Sequence, residues 1–430
     1  MIKNKRRILI FFLSGFSIVN FILILLLIHL IFFRTNTDQE QKNQQKIVKD
    51  IENNEDNDRI FIDFLDSLNY VNDSIAKGFS GNKVSILITG LDSRIGTKSN
   101  HADANHLLNI WLDSGKIEII SIPRGTFCDA GLSTNLQYDP DDTTKTTNLN
   151  YLANVRSTRG RDAYHKAVSK IAKAQNIDYY IEFGFSQALG ILELLGYQKN
   201  SVQILRTLRS RKSFSVGDYQ RCYNQGQFIR QIILKHFYRL DELLGKSLLK
   251  GALFLVESNL SYEDALNIVA KLKEQNFPRN SHDVIVRLKP GLSKNISNFN
   301  FTENNSLDSL YKMIVNKSKY HEAFDTKANT NDYISEKVEL KLNQLIKKAI
   351  ADTAKYPSKA LNYILIPFEQ RAWYQVSNPN QRAKIRNDIL NIVYSSALKT
   401  NKKELVEKVN IIRKTENVLD EIKHRKVVIF

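Results

Sequence analysis

The sequence predicts an α/β sandwich with helices on both faces of its sheet, carried on one transmembrane helix and followed by a helical appendage. Three observations predict it. Residues 8–33, ILIFFLSGFSIVNFILILLLIHLIFF, form an apolar run without a single charge. Between residues 84 and 274, short apolar runs alternate with longer segments of helical apolar spacing, the pattern of strands interleaved with helices. Beyond residue 295 the texture changes to Lys, Asn, Leu, Ile and Glu at helical spacing with few turn signals.

The chain divides accordingly. Residues 1–34 are a cytoplasmic tail and transmembrane helix, and 35–82 a polar stalk with a short amphipathic helix. Residues 83–295 are the α/β domain and 296–430 a helical C-terminal domain. The 26-residue apolar run spans about 39 Å as a helix, enough for a hydrocarbon core of about 30 Å. Lys3, Lys5, Arg6 and Arg7 before it place the N-terminus in the cytoplasm and everything after it outside. It lacks the short core and small-residue cleavage site of a signal peptide.

The formal charge of the 430 residues is +17, and it is uneven. Residues 35–82 hold ten carboxylates against five basic residues, so the folded part is the basic part. That favours polyanionic partners such as phosphates, anionic lipids or acidic glycans. Nucleic acid is excluded, because no helix-turn-helix signal is present and the basic part faces away from the cytoplasm. A hydrophobic content of 42% supports real cores. No Cys/His spacing resembles a zinc site, and the two cysteines, Cys128 and Cys222, allow at most one disulfide.

In chain order, Ile60, Phe64, Leu65 and Leu68 give the stalk helix its apolar face, and residues 84–89 (VSILIT) read as a buried strand ending at Gly90. Residues 106–112 and 116–122 read as strands joined at the Asp113-Ser114-Gly115 turn. A helix is predicted over 162–175, a strand over 179–183, and a helix over 186–195 closed by Gly196. A strand over 203–208, a long amphipathic helix over 218–244 and a helix over 260–274 with Ser261 as N-cap complete the domain. In the appendage, helical spacing runs over 306–351 and 380–425, and Trp373 and Tyr374 read as core.

Four segments carry candidate chemistry. Asp92 follows a buried strand and Gly90, a common position for a ligand-facing residue in open sheets. Asp103 is expected on the loop before the next strand, and two carboxylates on adjacent loops can share one Mg²⁺ with phosphate oxygens. Arg124 follows Pro123 at a strand exit, where proline aims the next side chain. Arg209 and Arg211 point the same way if that stretch is extended. Arg221 and Gln225 lie four apart on the long helix, in line with its apolar stripe. An inward arginine needs an anion, either Asp218 or a bound phosphate.

These pieces resemble the LytR-CpsA-Psr family of single-pass membrane enzymes. The matching runs are GLDSR at 90–94, HAD at 101–103, IEIISIPRGT at 117–126 and IDYYIEFGFSQAL at 177–189. LRSR at 208–211, GDYQRCYNQ at 217–225 and SNLSYEDALNIVAKL at 258–272 continue the resemblance over residues 84–295. It implies a mixed central sheet with a long apolar pocket, and transfer of a glycopolymer from a polyprenyl-diphosphate carrier to a hydroxyl of peptidoglycan or another envelope acceptor. It further implies that Asp92 and Asp103 bind Mg²⁺. Arg124, Arg209, Arg211, Arg221 and Gln225 would hold the lipid diphosphate, and Asp92 would take the acceptor's proton. His101 stands where the family usually has Arg, and Gly125 where it has Asp; His101 still donates to phosphate when protonated. The usual glycine pair after the helix at 186–195 and one arginine near Gln225 are missing. A Cys128–Cys222 disulfide is expected to stiffen the site. The rival reading is a non-catalytic polyprenyl-(di)phosphate-binding or envelope scaffold protein.

Overall fold

The computed structural model describes residues 79–427 apart from 93–94, 96–99, 129–150, 198–199, 212–213, 215, 241–242, 292–295, 302 and 323–334. The transmembrane and stalk helices expected within residues 1–78 lie outside the described residues. Among the described residues no helix is long and apolar enough to cross a membrane.

Six strands make one mixed sheet. They are β1 (Lys83–Asp92), β2 (His101–Trp111), β3 (Lys116–Ser121), β4 (Tyr179–Phe183), β5 (Glu257–Ser258) and β6 (Val284–Leu288). Their order in space is β5-β4-β1-β2-β3-β6, with β1/β4 and β3/β6 parallel and the other pairs antiparallel. The Asp113-Ser114-Gly115 turn joins β2 to β3 as expected, with Gly115 at φ +59°.

Alternation along the strands sends side chains to two helical layers. Leu87, Leu107 and Ile120 pack under α1 (Leu152–Ala172) against Leu152, Val155 and Val168. On the other face Ile86, Leu108, Ile119 and Val286 meet Ile229 and Ile233 of α4 (Asp218–His236) and Ala265 of α6 (Tyr262–Glu274). Ser261 caps α6, its hydroxyl accepting from the Asp264 amide. Between α1 and α4 lie α2 (Phe185–Leu194) and α3 (Ser201–Arg209); α5 (Leu243–Leu255) precedes β5.

Two sequence readings are corrected. The strand expected over 203–208 is helix α3. Ile204 and Leu208, four apart, both face Phe301, Leu307 and Leu310, a spacing that a short apolar run does not distinguish from a strand. The helix expected over 218–244 stops at His236 and passes through a 3-10 turn, Phe237–Arg239, before α5 begins. Gly245 then crosses against the Arg239 carbonyl, an approach that a Cβ would prevent.

Beyond residue 295 come α7 (Asn304–Glu322), α8 (Ser335–Thr353), α9 (Pro357–Glu369), α10 (Pro379–Lys399) and α11 (Lys403–Val427). Trp373 and Tyr374 are buried as predicted, at 0% and 2% exposed. They share one core with Phe185, Leu189 and Leu194 of α2, Ile364 and Phe368 of α9, and Ile389 and Val393 of α10. Two polar contacts cross the same boundary, Gln375 to Ser186 at 2.6 Å and Arg382 to Glu193 at 2.8 Å.

Gly226 is what lets α4 lie down on the sheet. A Cβ there would collide with Ser121 Oγ and come within 2.8 Å of Val286 Cγ1. Gly226→Ala should therefore cost about 1–3 kcal/mol of stability. Denaturant titration would show a lower midpoint at unchanged slope; a midpoint equal to wild type would mean that the helix shifts without penalty.

Candidate functional site

The site is built at the end of the β1–β2 ladder. Gly90 pairs with Ala104 and Leu91 with Ala102, so Asp103 is the extra residue of a β-bulge. Asp103 thus belongs to β2, not to the loop expected before it. Bulges re-aim a side chain locally, and here the carboxylate meets Arg124 Nη1 at 2.6 Å. Gly90 permits the arrangement, since a Cβ on it would lie 3.0 Å from Ala104 Cβ. Asp92 pairs with His101, so both acidic residues stand at the same end of the ladder.

Arg124 leaves β3 through Pro123, as read from the sequence. Its backbone is held by Thr126 N–H to the Pro123 carbonyl at 3.0 Å and by Ala153 N–H of α1 to its own carbonyl at 3.0 Å. Burial alone would lower its guanidinium, but Asp103, with Asp218 and Asp92 further away, raises it above its ordinary value. Arg209 is the last residue of α3 and donates to Asp92 at 3.1 Å, its guanidinium 5.4 Å from the Phe185 ring centre. Arg211 is exposed two residues beyond the helix, so the two arginines do not share an extended strand.

Arg221 is 4% exposed on the inward face of α4, as its spacing predicts. It lies 2.6 Å from Asp218 and 4.0 Å from the Asp103 carboxylate, and its Nη2 donates to the Asp103 carbonyl at 3.3 Å. Burial lowers its guanidinium, and the two carboxylates oppose that. The Asp218 contact is an ion pair outside hydrogen-bond geometry, and both Asp218 carboxylate oxygens lack a hydrogen-bond partner among the described residues. Asp92, His101, Arg124, Arg211 and Asp218 line one cleft of about 540 Å³, with Tyr151 and Asn154 of the α1 entrance. Gly125 lines it too, and a Cβ there would meet nothing within 4 Å. Asp103, Arg209 and Arg221 stand behind these residues as the ion-pair partners of Arg124, Asp92 and Asp218, and Gln225 bonds His106 and the Leu208 carbonyl instead.

One residue behind the cleft escaped the sequence reading. His106 on β2 is 1% exposed, 2.8 Å from Ser121 Oγ and 3.3 Å from Gln225 Oε1. Gln225 Nε2 donates to the Leu208 carbonyl at 3.0 Å, which leaves Oε1 as acceptor. His106 therefore carries its proton on Nε2 and accepts from Ser121 on Nδ1. The chain of bonds ties β3, β2 and α4 to the residue before Arg209. A histidine directly before the apolar run LLNIW was the available signal.

Asp92 and Asp103 supply hard oxygen donors at one strand end. Mg²⁺ takes one or two carboxylates with phosphate and water completing its shell, so the donor set fits in kind and number. Among the described residues no group of three His, Cys, Asp or Glu side chains is placed to hold a metal by itself. The expected disulfide is not formed. Cys128 is a buried thiol in the α1-side layer beside Ile122 and Leu152, while Cys222 is a buried thiol on α4, whose apolar face joins the opposite layer. Burial pushes the Cys222 thiol far up.

Arginines and carboxylates interleave around an open cleft at a strand end of the α/β sheet. Residues 33–195 match the LytR_cpsA_psr family model, and that segment, which carries Asp92, His101, Asp103 and Arg124, belongs to the LytR-CpsA-Psr family. Arg209, Arg211, Arg221 and Gln225 lie beyond the matched segment, and the fold brings them to it. Among solved structures the chain is similar to TagV of B. subtilis, at 16% identity and TM-score 0.38, over 56% of this chain and 98% of that one. It is also similar to protein gbs0355 of Streptococcus agalactiae, at 15% identity and TM-score 0.38, over 48% and 77%. A structure of TagT bound to LI-WTA is similar at 15% identity and TM-score 0.34, over 55% and 90%. No curated protein matches the chain.

His106 links this site to acid stability. Burial, helped by Arg221 and opposed by Gln225, brings its imidazole from 6.5 down to about 4. The unfolded chain then binds a proton that the folded chain refuses between those values. Stability held above pH 6.5 is lost as pH falls toward 4, by about 3 kcal/mol. Urea unfolding at pH 7 and pH 4.5 should show this loss in wild type and a smaller one in His106→Gln. Equal losses in the two proteins would assign the acid sensitivity elsewhere.

Proposed function

We propose that this chain is a transferase that moves a glycopolymer from a polyprenyl-diphosphate carrier to a hydroxyl of peptidoglycan or another cell-envelope acceptor. The observation that carries the reading is the convergence of Asp92–Arg209 and Asp103–Arg124–Arg221–Asp218 on one cleft whose first half lies in a LytR-CpsA-Psr family segment. Arginine forks bind phosphate oxygens bidentately, and Arg124 and Arg211 line the cleft directly. In this reading the apolar run 8–33 anchors the protein in the cytoplasmic membrane with its folded part outside, beside the lipid carrier.

The reaction needs an in-line displacement at phosphorus. The acceptor oxygen forms a bond to the sugar-bearing phosphorus, the bond from that phosphorus to the bridging oxygen breaks, and polyprenyl phosphate leaves with the electron pair. Asp92 takes the acceptor's proton. Arg124, Arg209 and Arg211 hold the diphosphate, and His101, in the same cleft, donates to it. Arg221 and Gln225 set the positions of Asp103 and the end of α3. Asp92 and Asp103 would hold Mg²⁺, which spreads the negative charge of the transferred phosphoryl group.

The second reading is a binding protein that holds the lipid diphosphate without transfer. It is favoured by the open space beside Gly125, where the family usually places a carboxylate, in the same cleft wall as Asp92 and Arg124. The purified chain incubated with a polyprenyl diphosphate and Mg²⁺ separates the two. Transfer predicts release of polyprenyl phosphate, reduced by about 10²–10³ in Asp92→Ala or Asp103→Asn. Arg211→Ala should act mainly on KM, because that side chain is exposed at the cleft and supports no other residue among those described. Tight binding with no release in wild type would select the second reading.

A further inference from the structure

A second cavity, of about 370 Å³, opens between the end of α5 and the start of α11 and shares no lining residue with the cleft. Arg371 forms part of it. This residue is 6% exposed, and its Nη1 has no hydrogen-bond partner among the described residues. Its guanidinium stacks 4.8 Å from the Phe254 ring centre and 5.7 Å from that of Trp373. Its backbone sits at φ +52°, a conformation that an arginine adopts only where the surroundings impose it.

The nearby carboxylate is already occupied. Glu416 accepts from Trp373 Nε1 at 3.3 Å, Tyr374 Oη at 2.9 Å and Arg386 Nη1 at 3.3 Å. It acts on Arg371 only through space, against a lowering by burial. A guanidinium presents five donors, and leaving one unmet in a buried place is costly. Arg371 is thus a buried cation of the cavity lining with one donor unmet among the described residues. Around it the cavity offers the apolar surfaces of Phe254, Ile411 and Ile412, with Glu404, Glu407 and Lys408 exposed on α11.

We propose that this cavity binds a small zwitterion, a free amino acid or dipeptide with an apolar side chain. Its carboxylate meets Arg371, its ammonium faces Glu404 and Glu407, and its side chain lies against Phe254 and Ile411. The two rim carboxylates face the ligand's ammonium, with Lys408 beside them. The volume suits a ligand of that size. The inference stands independently of the reading of the cleft.

Calorimetric titration of the full chain in detergent with L-leucine tests it, beside 4-methylpentanoate, 3-methylbutylamine and inorganic phosphate. Leucine should bind, and loss of either its amine or its carboxylate should weaken binding by about tenfold. Arg371→Met should weaken leucine binding by about the same tenfold factor as loss of the ligand's carboxylate, and should leave 3-methylbutylamine unchanged. Ile411→Trp, at a position 50% exposed, should block the cavity while leaving Arg371 in place, so that a misfolded arginine variant cannot decide the matter alone. Glu404→Gln with Glu407→Gln should weaken leucine and leave 4-methylpentanoate unchanged. No leucine binding by wild type, equal binding by Ile411→Trp, or tighter binding of phosphate than of leucine would overturn the proposal.

Discussion

A guanidinium that is 4% exposed is costly to bury without anions beside it, and Arg221 takes them from two directions. Asp218 comes from its own helix, one turn earlier, and Asp103 from the bulge in β2. Removing one partner from such a buried set leaves an uncompensated charge, worth about 3–5 kcal/mol. The positions of α4 and of the end of β2 are therefore tied to each other. Gly226 makes the same demand from below, because only a residue without a side chain lets α4 approach Ser121. Once α4 is seated, Gln225 reaches both His106 and the carbonyl of Leu208, and the end of α3 is fixed.

Of the charges that hold the elements together, Asp92, Arg124 and Asp218 face the cleft, with their partners behind them. Asp103 is shared by Arg124 and Arg221, and Asp92 by Arg209, so each arginine is held in place by a carboxylate before any ligand arrives. Such preorganisation lowers the entropic cost of gripping a phosphate. It also means that an incoming anion meets partly neutralised arginines, and a cation at the carboxylates would release them. Asp218, with carboxylate oxygens that have no hydrogen-bond partner among the described residues, places a further negative charge on the cleft wall.

The C-terminal helices bear on this arrangement through packing. Phe185, under the Arg209 guanidinium, belongs to the core that α2 shares with α8, α9, α10 and α11. Helix α3 is backed by Phe301 and by Leu307 and Leu310 of α7. Gly190 on α2 leaves room for Leu255 and Tyr374, whose nearest carbons would lie 3.1 Å and 3.2 Å from a Cβ there. The elements that carry Arg209 are thus clamped by residues from beyond position 295.

The sequence by itself determined what is local or periodic. Strand β4 and the Asp113-Ser114-Gly115 turn, the cap at Ser261, and the inward face of α4 with Arg221 and Gln225 were all legible from apolar spacing and turn chemistry. The charged residues named from the sequence come together at the cleft or directly behind it. The tertiary structure decided everything that depends on approach. A bulge is a register shift between two strands, so no residue type in β2 announces that Asp103 is the extra one. The segment 203–208 is equally apolar as strand or helix, and contact with Phe301 and Leu307 selects the helix. Cys128 and Cys222 stay unlinked because their elements pack into different layers. His106 acquires its role only when α4 brings Gln225 to it. Local propensity is written along the chain, whereas burial, partners and charge balance are set by segments far apart in sequence that meet only in the fold.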